Sequence, residues 1–280
     1  LTHMWNEAGR IELETTIVKL DEQSYYLVCA AFFEQRLLDH IAKHQGDADI
    51  TVTCLSTSWC ALALNGPQSR KVLSAVTDAA LDNDSFKWLS AQQITIAGHS
   101  LWALRLSYAG ELGYELHIPR EAMVDVYHAL SDAGAPYDIC DYGSFAMNAM
   151  RMEKAFKGAG ELTNEVTLPE ADVMRFVKLD KDFIGKEATE KAGLEPSRFV
   201  CAYLGHGGEP LYHDGQLVGS TASVAYGPSV DKILAFCYIT PQSAVPGTKL
   251  EVMVHGKKRG ALVLKDAAYD PASALPRALA

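Results

Sequence analysis

The sequence predicts an α+β chain. Split βαβ (ferredoxin-like) units over residues 1–190 precede a small antiparallel β-barrel over residues 191–280. Three observations carry this. Period-2 apolar alternation, which marks strands with one buried face, recurs in pairs between helically spaced segments. After Lys186 five short strands follow one another across Gly and Asp turns. The 280 residues are enough for two domains of roughly 100–200 residues each, with a boundary near 187–196.

The elements follow in order. Ile11, Leu13, Thr15 and Ile17 alternate with Glu12, Glu14 and Thr16, giving a strand with one polar face. Residues 24–30 read as a second strand. Leu37, Leu38 and Ile41 recur at helical spacing over 33–44. Strands follow at 50–56 and 59–64, and Asn65-Gly66-Pro67 opens a helix to Ala75, with proline in the first turn. Strands at 93–98, 101–107 and 114–118 lead to helices at 121–133 and 142–154. The five barrel strands are expected at 198–203, 216–225, 232–240, 249–255 and 260–265, with Asp214-Gly215 as a two-residue hairpin turn.

Composition narrows the function classes. The net charge of -10, with no basic cluster, excludes nucleic acid and anionic membrane surfaces as main partners. No run reaches the ~18 apolar residues of a membrane span. The six cysteines form no C-x-x-C pair and read as buried free thiols. His40 and His44 stand four apart, but H-I-A-K-H lacks a third ligand, so no metal is expected. No G-x-S-x-G elbow occurs, nor any G-x-G-x-x-G after a predicted strand. The Gly205–Gly208 run lacks the phosphate-loop pattern.

Residues 104–118 are the most informative stretch. Alternation places Trp102, Leu104, Leu106 and Tyr108 on one inward face of a strand, with Arg105 and Ser107 opposite. Gly110 and Gly113 permit tight turns and close approach of a ligand to the main chain. Glu111 and Glu115 lie at that turn, and a carboxylate can accept two donors from an amidine edge. Spacing alone also fits a hairpin with exposed carboxylates. Glu14, on the polar face of its strand, reads either as an exposed strand residue or as a general base or electrostatic partner of a cation.

Several segments together resemble the folate-binding glycine-cleavage T-protein family, and within it the C-terminal region of the dimethylglycine and sarcosine dehydrogenase branch. They are Thr2 to Ile11, Leu64-Asn65-Gly66-Pro67, Ser107 to Glu115, Met150-Arg151-Met152-Glu153-Lys154, Phe176 to Lys186, and the barrel runs Gly219 to Tyr226 and Lys232 to Ile239. The resemblance implies a tetrahydrofolate-binding one-carbon transfer module. It would accept a methylene carbon from an N-methyl amine-derived iminium to give 5,10-methylenetetrahydrofolate. Glu14 falls at the family's catalytic acid, and Tyr108, Glu111 and Glu115 fall in its pterin-binding motif. FAD would belong only to an upstream flavin domain or subunit, and the chain is expected to be the C-terminal piece of a longer cytoplasmic or mitochondrial-matrix protein.

Some positions depart from the family pattern. The acid is Glu rather than Asp. The family's helix arginine falls near Met147, which argues against the glycine-cleavage reaction itself. Its N-A-S-N segment becomes Cys29-Ala30-Ala31-Phe32, and T-P-L-E-A-G-L becomes Thr167-Leu168-Pro169-Glu170-Ala171-Asp172-Val173. The alternatives are a non-catalytic folate-binding scaffold and a standalone folate-dependent demethylase or aminomethyltransferase. The cysteine loop of the iron–sulfur maintenance relatives is replaced by Asp182 to Glu187, which disfavours that version of the scaffold reading.

Overall fold

The computed structural model describes residues 1–192, 200–201 and 207–278. Strand β1 (Thr2–Trp5) pairs with β2 (Ile11–Lys19), which pairs with β3 (Tyr25–Val28). The Asn6 side-chain oxygen closes the first turn by accepting the Ala8 and Arg10 N–H groups at 3.0 and 3.1 Å. β1 has only four residues, too short a run for alternation to register in the sequence. In β2 the expected period holds from Ile11 to Thr15, where Ile11, Leu13 and Thr15 are buried and Glu12 and Glu14 are partly exposed; it ends at Ile17, which is exposed. Helix α1 (Glu34–His44) follows and buries Leu37. The strand expected at 50–56 does not form. That segment has no ladder partner, and Ile50 and Val52 are exposed.

The chain continues through β4 (Trp59–Asn65), α2 (Ser69–Ser74), β5 (Ala91–Ile96), β6 (His99–Leu104), β7 (Gly113–Pro119), α3 (Met123–Gly134), α4 (Ser144–Glu153) and α5 (Lys186–Ala192). The barrel strands are β8 (Val200–Cys201), β9 (Pro210–His213), β10 (Gln216–Gly227), β11 (Lys232–Ile239), β12 (Lys249–Val254) and β13 (Lys257–Val263). β9 is an addition to the five expected strands. The remainder of the strand expected at 198–203 lies outside the described residues.

Contacts divide the chain into two units that are discontinuous in sequence: 1–48 with 155–269, and 49–154 with 270–280. In the first, Ile11 packs with Leu162, Leu168, Ala171 and Val173 in a small core. Gly9 and Gly185 touch backbone to backbone. A Cβ on Gly185 would lie 2.3 Å from the Asn6 carbonyl, so the F-I-G-K glycine is needed where it closes on the Asn6–Gly9 turn. The barrel of the same unit closes in the order β10-β11-β8-β13-β12-β9 around Leu211, Cys237, Leu250, Val252 and Val263. Asp214 and Gly215, at φ +49° and +78°, make the expected two-residue turn between β9 and β10. Among the described cysteines, Cys237 is buried as expected. The others depart from that expectation: Cys29 and Cys60 are half-buried, and Cys54 and Cys140 are exposed.

The second unit is built on a sheet of order β4-β7-β6-β5, in which every neighbouring pair is antiparallel. β6 and β7 are joined by a loop with no helix between them, the short connection that antiparallel neighbours allow. Leu101, Ala103, Tyr114, Leu116 and Ile118 form one face of this sheet and pack with Val72, Leu73, Val126 and Leu130 of α2 and α3.

The loop between β6 and β7 rests on Lys154, the last residue of the M-R-M-E-K segment. A Cβ on Gly110 (φ +77°) would lie 2.2 Å from Lys154 Cγ. The Lys154 side chain is 1% exposed, and its ammonium donates to the Asp270 carbonyl at 2.9 Å and to the Asp270 carboxylate. Burial opposes ionisation of Asp270, yet Lys154 and the Ala274 and Leu275 N–H groups hold its carboxyl below the usual range. Removing one partner of such a pair leaves an uncompensated charge. Lys154→Met is therefore expected to lower unfolding free energy by about 3–5 kcal/mol. An unchanged denaturant midpoint would refute the role.

Candidate functional site

Among the described residues, chemistry-bearing side chains come together in both units. In the 49–154 unit the cluster lies on the sheet face opposite the helices. Ladder register puts Ala63, Glu115 and Leu104 in one cross-strand row, and Ala61, His117 and Trp102 in the next. Ala61 and Ala63 are exposed, Glu115 keeps 29% of its side-chain surface and His117 only 4%. The result is an exposed floor of two alanines on β4 with a partly exposed carboxylate beside it on β7.

A polar network borders that floor. Asn65 at the end of β4 donates to the Tyr142 hydroxyl at 2.5 Å and accepts from the Ser107 hydroxyl at 3.0 Å. Burial pushes the Tyr142 hydroxyl above its ordinary pKa, and the Glu115 charge adds to this against the Asn65 hydrogen bond. A Cβ on Gly113 would stand 2.1 Å from Asn65 Oδ1, so the second glycine of the motif makes room for Asn65. His117 Nε2 lies 3.6 Å from Glu115 Oε2.

Two expectations for this stretch are corrected. β6 ends at Leu104, where the Leu106 N–H folds back onto the Leu104 carbonyl, so Leu106 and Tyr108 do not continue an inward strand face. The core face of β6 carries Leu101 and Ala103 instead. Arg105 is 1% exposed, with its guanidinium donating to the Phe86 carbonyl. Tyr108 sits half-buried in the loop. Glu111 lies at the loop's other end. Burial raises its pKa, Lys154 opposes the rise, and Asp270 and Glu153 add to it. The two glutamates therefore have different surroundings: Glu115 borders the open floor and Glu111 is within electrostatic reach of the buried Lys154 pair.

The other unit holds Glu14. It stands directly across the β1–β2 ladder from His3, with Nε2 and Oε1 3.6 Å apart. Burial raises the Glu14 pKa to about 7, against the lowering influence of Lys157. Burial, with Lys157 adding, lowers His3 to about 4. The separation is within ion-pair reach, yet His3 is neutral at neutral pH, so the contact is not an ion pair. Lys157 is itself lowered to about 8 by burial, with Asp172 opposing. Glu14 still keeps 30% of its side-chain surface, so its carboxyl is reachable. A carboxyl that titrates near neutrality can take up and release a proton, and when ionised it can face a cation.

His3, Asn65, His117, Tyr142 and Lys157 carried no role in the sequence reading. Only His117 had a usable signal, its period-2 spacing from Glu115. The other four meet their partners through tertiary contact. The His40 and His44 rings pack at a tilt, with centroids 4.6 Å apart. No group of three metal-ligating side chains occurs among the described residues. No described helix is long and apolar enough to cross a membrane.

Comparison with known proteins assigns the family. The GCVT N-terminal domain matches residues 1–181, and the glycine cleavage T-protein C-terminal barrel domain matches residues 192–270. The chain belongs to the glycine-cleavage T-protein family. It is 35% identical over 279 residues to the mitochondrial dimethylglycine dehydrogenase of Homo sapiens, covering 95% of this chain and 32% of that one. It is 31% identical over 253 residues to an aminomethyltransferase of Streptomyces avermitilis, covering 86% of this chain and 68% of that one. These relatives are enzymes, and the chain spans about a third of the length of the dimethylglycine dehydrogenases it matches. The glycine cleavage system aminomethyltransferase T of Bartonella henselae has the same fold, with a TM-score of 0.85 over 96% of this chain and 75% of that one, at 23% identity.

The elevated Glu14 pKa has a stability consequence. Its folded value of about 7 lies above the ordinary glutamate value of 4.5, so the folded state holds the extra proton between those values. That stabilisation is complete below pH ~4.5 and is lost as pH rises through ~7. Relative to Glu14→Gln, the parent chain is expected to lose up to about 3 kcal/mol across this window. Parallel pH–stability curves for the two proteins would contradict the assignment.

Proposed function

We propose that this chain is a tetrahydrofolate-binding one-carbon transfer module. It takes a methylene carbon from an iminium of the dimethylglycine or sarcosine type: N5 and then N10 of the folate bond that carbon, its bond to the substrate nitrogen breaks, and the demethylated amine leaves beside 5,10-methylenetetrahydrofolate. The observation that carries this reading is the exposed Ala61–Ala63 floor with Glu115 at its edge. A flat ring needs small side chains beneath it, and a pterin's adjacent N–H and NH2 need a carboxylate that accepts both. Glu115 on a paired strand meets the second need, and Tyr108 offers an aromatic surface. Glu111 is the secondary candidate from the same loop.

Bound tetrahydrofolate would supply N5, the nucleophile that accepts the carbon. The chain's own contribution is proton and charge management. Glu14, ionised above pH ~7, would face the positive charge of the incoming iminium and remove the proton released on transfer. His3 stays neutral beside it and does not compete as a cation. Lys157 favours the ionised carboxylate and limits how far burial raises its pKa. The iminium would come from a flavin domain or subunit, a role that fits relatives named as dehydrogenases.

Calorimetric titration with tetrahydrofolate tests the binding half. Tyr108→Ala and Glu115→Gln are each expected to weaken binding at least about tenfold, the scale of one lost oriented polar or stacking contact. Ala63→Leu should do the same with an unchanged or raised melting temperature, since it fills the floor and suits a strand. No heat from the parent chain, or equal heats from all four proteins, would remove the reading.

The catalytic half is tested with dimethylglycine and a flavin dehydrogenase supplied in trans. The rate of methylenetetrahydrofolate formation should rise with pH through about 7, as Glu14 loses its proton. Glu14→Gln should flatten that profile and slow transfer by about 10²–10⁴-fold while leaving folate affinity intact. An unchanged rate would take Glu14 out of the mechanism.

A further inference from the structure

We propose that His117 is the positioning residue for Glu115. It fixes the carboxylate in the orientation needed for two-point recognition, and so makes the site selective for pterins that carry the amino group next to the ring N–H. This rests on the folate reading above and adds a residue that selects among folates.

The strand supplies the geometry. Glu115 and His117 are two apart on β7 and share its outward face. Their cross-strand neighbours are Ala63 and Leu104 for Glu115, and Ala61 and Trp102 for His117. None of these four carries a charge. Tyr142 approaches from outside the sheet, where the Glu115 charge helps raise the pKa of its hydroxyl. The imidazole keeps 4% of its side-chain surface, so it is walled in, while the carboxylate keeps 29% and meets solvent. A fixed group therefore stands beside a movable one, with Nε2 facing Oε2 at 3.6 Å. That is just beyond hydrogen-bond length, and polar contacts in such sites tighten when ligand engages.

An unrestrained glutamate on an open face must be ordered when it grips a ligand. A buried imidazole that donates to the lone pair of Oε2 pointing away from the ligand removes part of that cost. It leaves both oxygens free to accept the ligand's paired donors.

The experiment is a titration series with tetrahydrofolate and its 2-desamino analogue on the parent chain and four variants: His117→Gln, His117→Met, Glu115→Gln and the His117→Met/Glu115→Gln double variant. Circular dichroism checks folding. The parent should bind tetrahydrofolate at least about tenfold better than the analogue, a factor equivalent to about 1.4 kcal/mol. His117→Met should lose most of that preference. His117→Gln, which keeps an N–H near the Nε2 position, should retain it. With Glu115 already changed, His117→Met should cost nothing further.

Multiplying losses in the double variant would overturn the proposal, as would equal losses for Gln and Met at 117. Equal affinity of the parent for both ligands would also overturn it, and that arm needs no variant to fold. Full tetrahydrofolate affinity in Glu115→Gln would instead bring down the underlying pterin reading. The two failures are thus distinguishable.

Discussion

The buried ammonium of Lys154 organises the 49–154 unit. A lysine in a protein interior is costly unless its charge is met, and here the Asp270 carboxylate and carbonyl meet it. The side-chain stem then occupies the space that a Cβ on Gly110 would need. One residue at the end of α4 thereby holds both the C-terminal segment and the loop that leads into β7. The second glycine of the loop has an equally specific cause, since Gly113 yields its side-chain volume to Asn65. Asn65 in turn ties Ser107 to Tyr142. The glycines therefore follow from crowding by named side chains rather than from a general need for flexibility.

The three glutamates singled out by the sequence differ because their surroundings differ. Glu115 sits on a paired strand at the edge of an exposed floor, suited to accepting hydrogen bonds from a ligand. Glu111 is raised by burial near the Lys154–Asp270 pair, a setting dominated by structural charge. Glu14 is raised to about 7 beside a neutral His3, a setting for proton transfer. Residue type alone could not separate these surroundings.

Much of the fold was legible because strand and helix periods are local. The alternation at 11–15, the helical spacing at 33–44 and the Asp214-Gly215 turn all appear where sequence placed them. The failures share one cause. The run at 50–56 has strand composition and no partner, and residues 105–108 alternate correctly but leave the ladder after Leu104. A strand is a relation between two segments, so a single-segment pattern overestimates it.

By itself the sequence determined the strand and helix periods, the glycine spacing of the 107–115 motif and the family resemblance that those segments carry together. Only the tertiary structure decided what each polar residue meets. Asp270 lies 116 residues from Lys154, Tyr142 lies 77 from Asn65, and Lys157 influences a Glu14 on the far side of the inserted unit's sequence. Desolvation and close approach set the charge states and contacts of these groups. Both depend on which distant segments share a volume, and no local pattern encodes that.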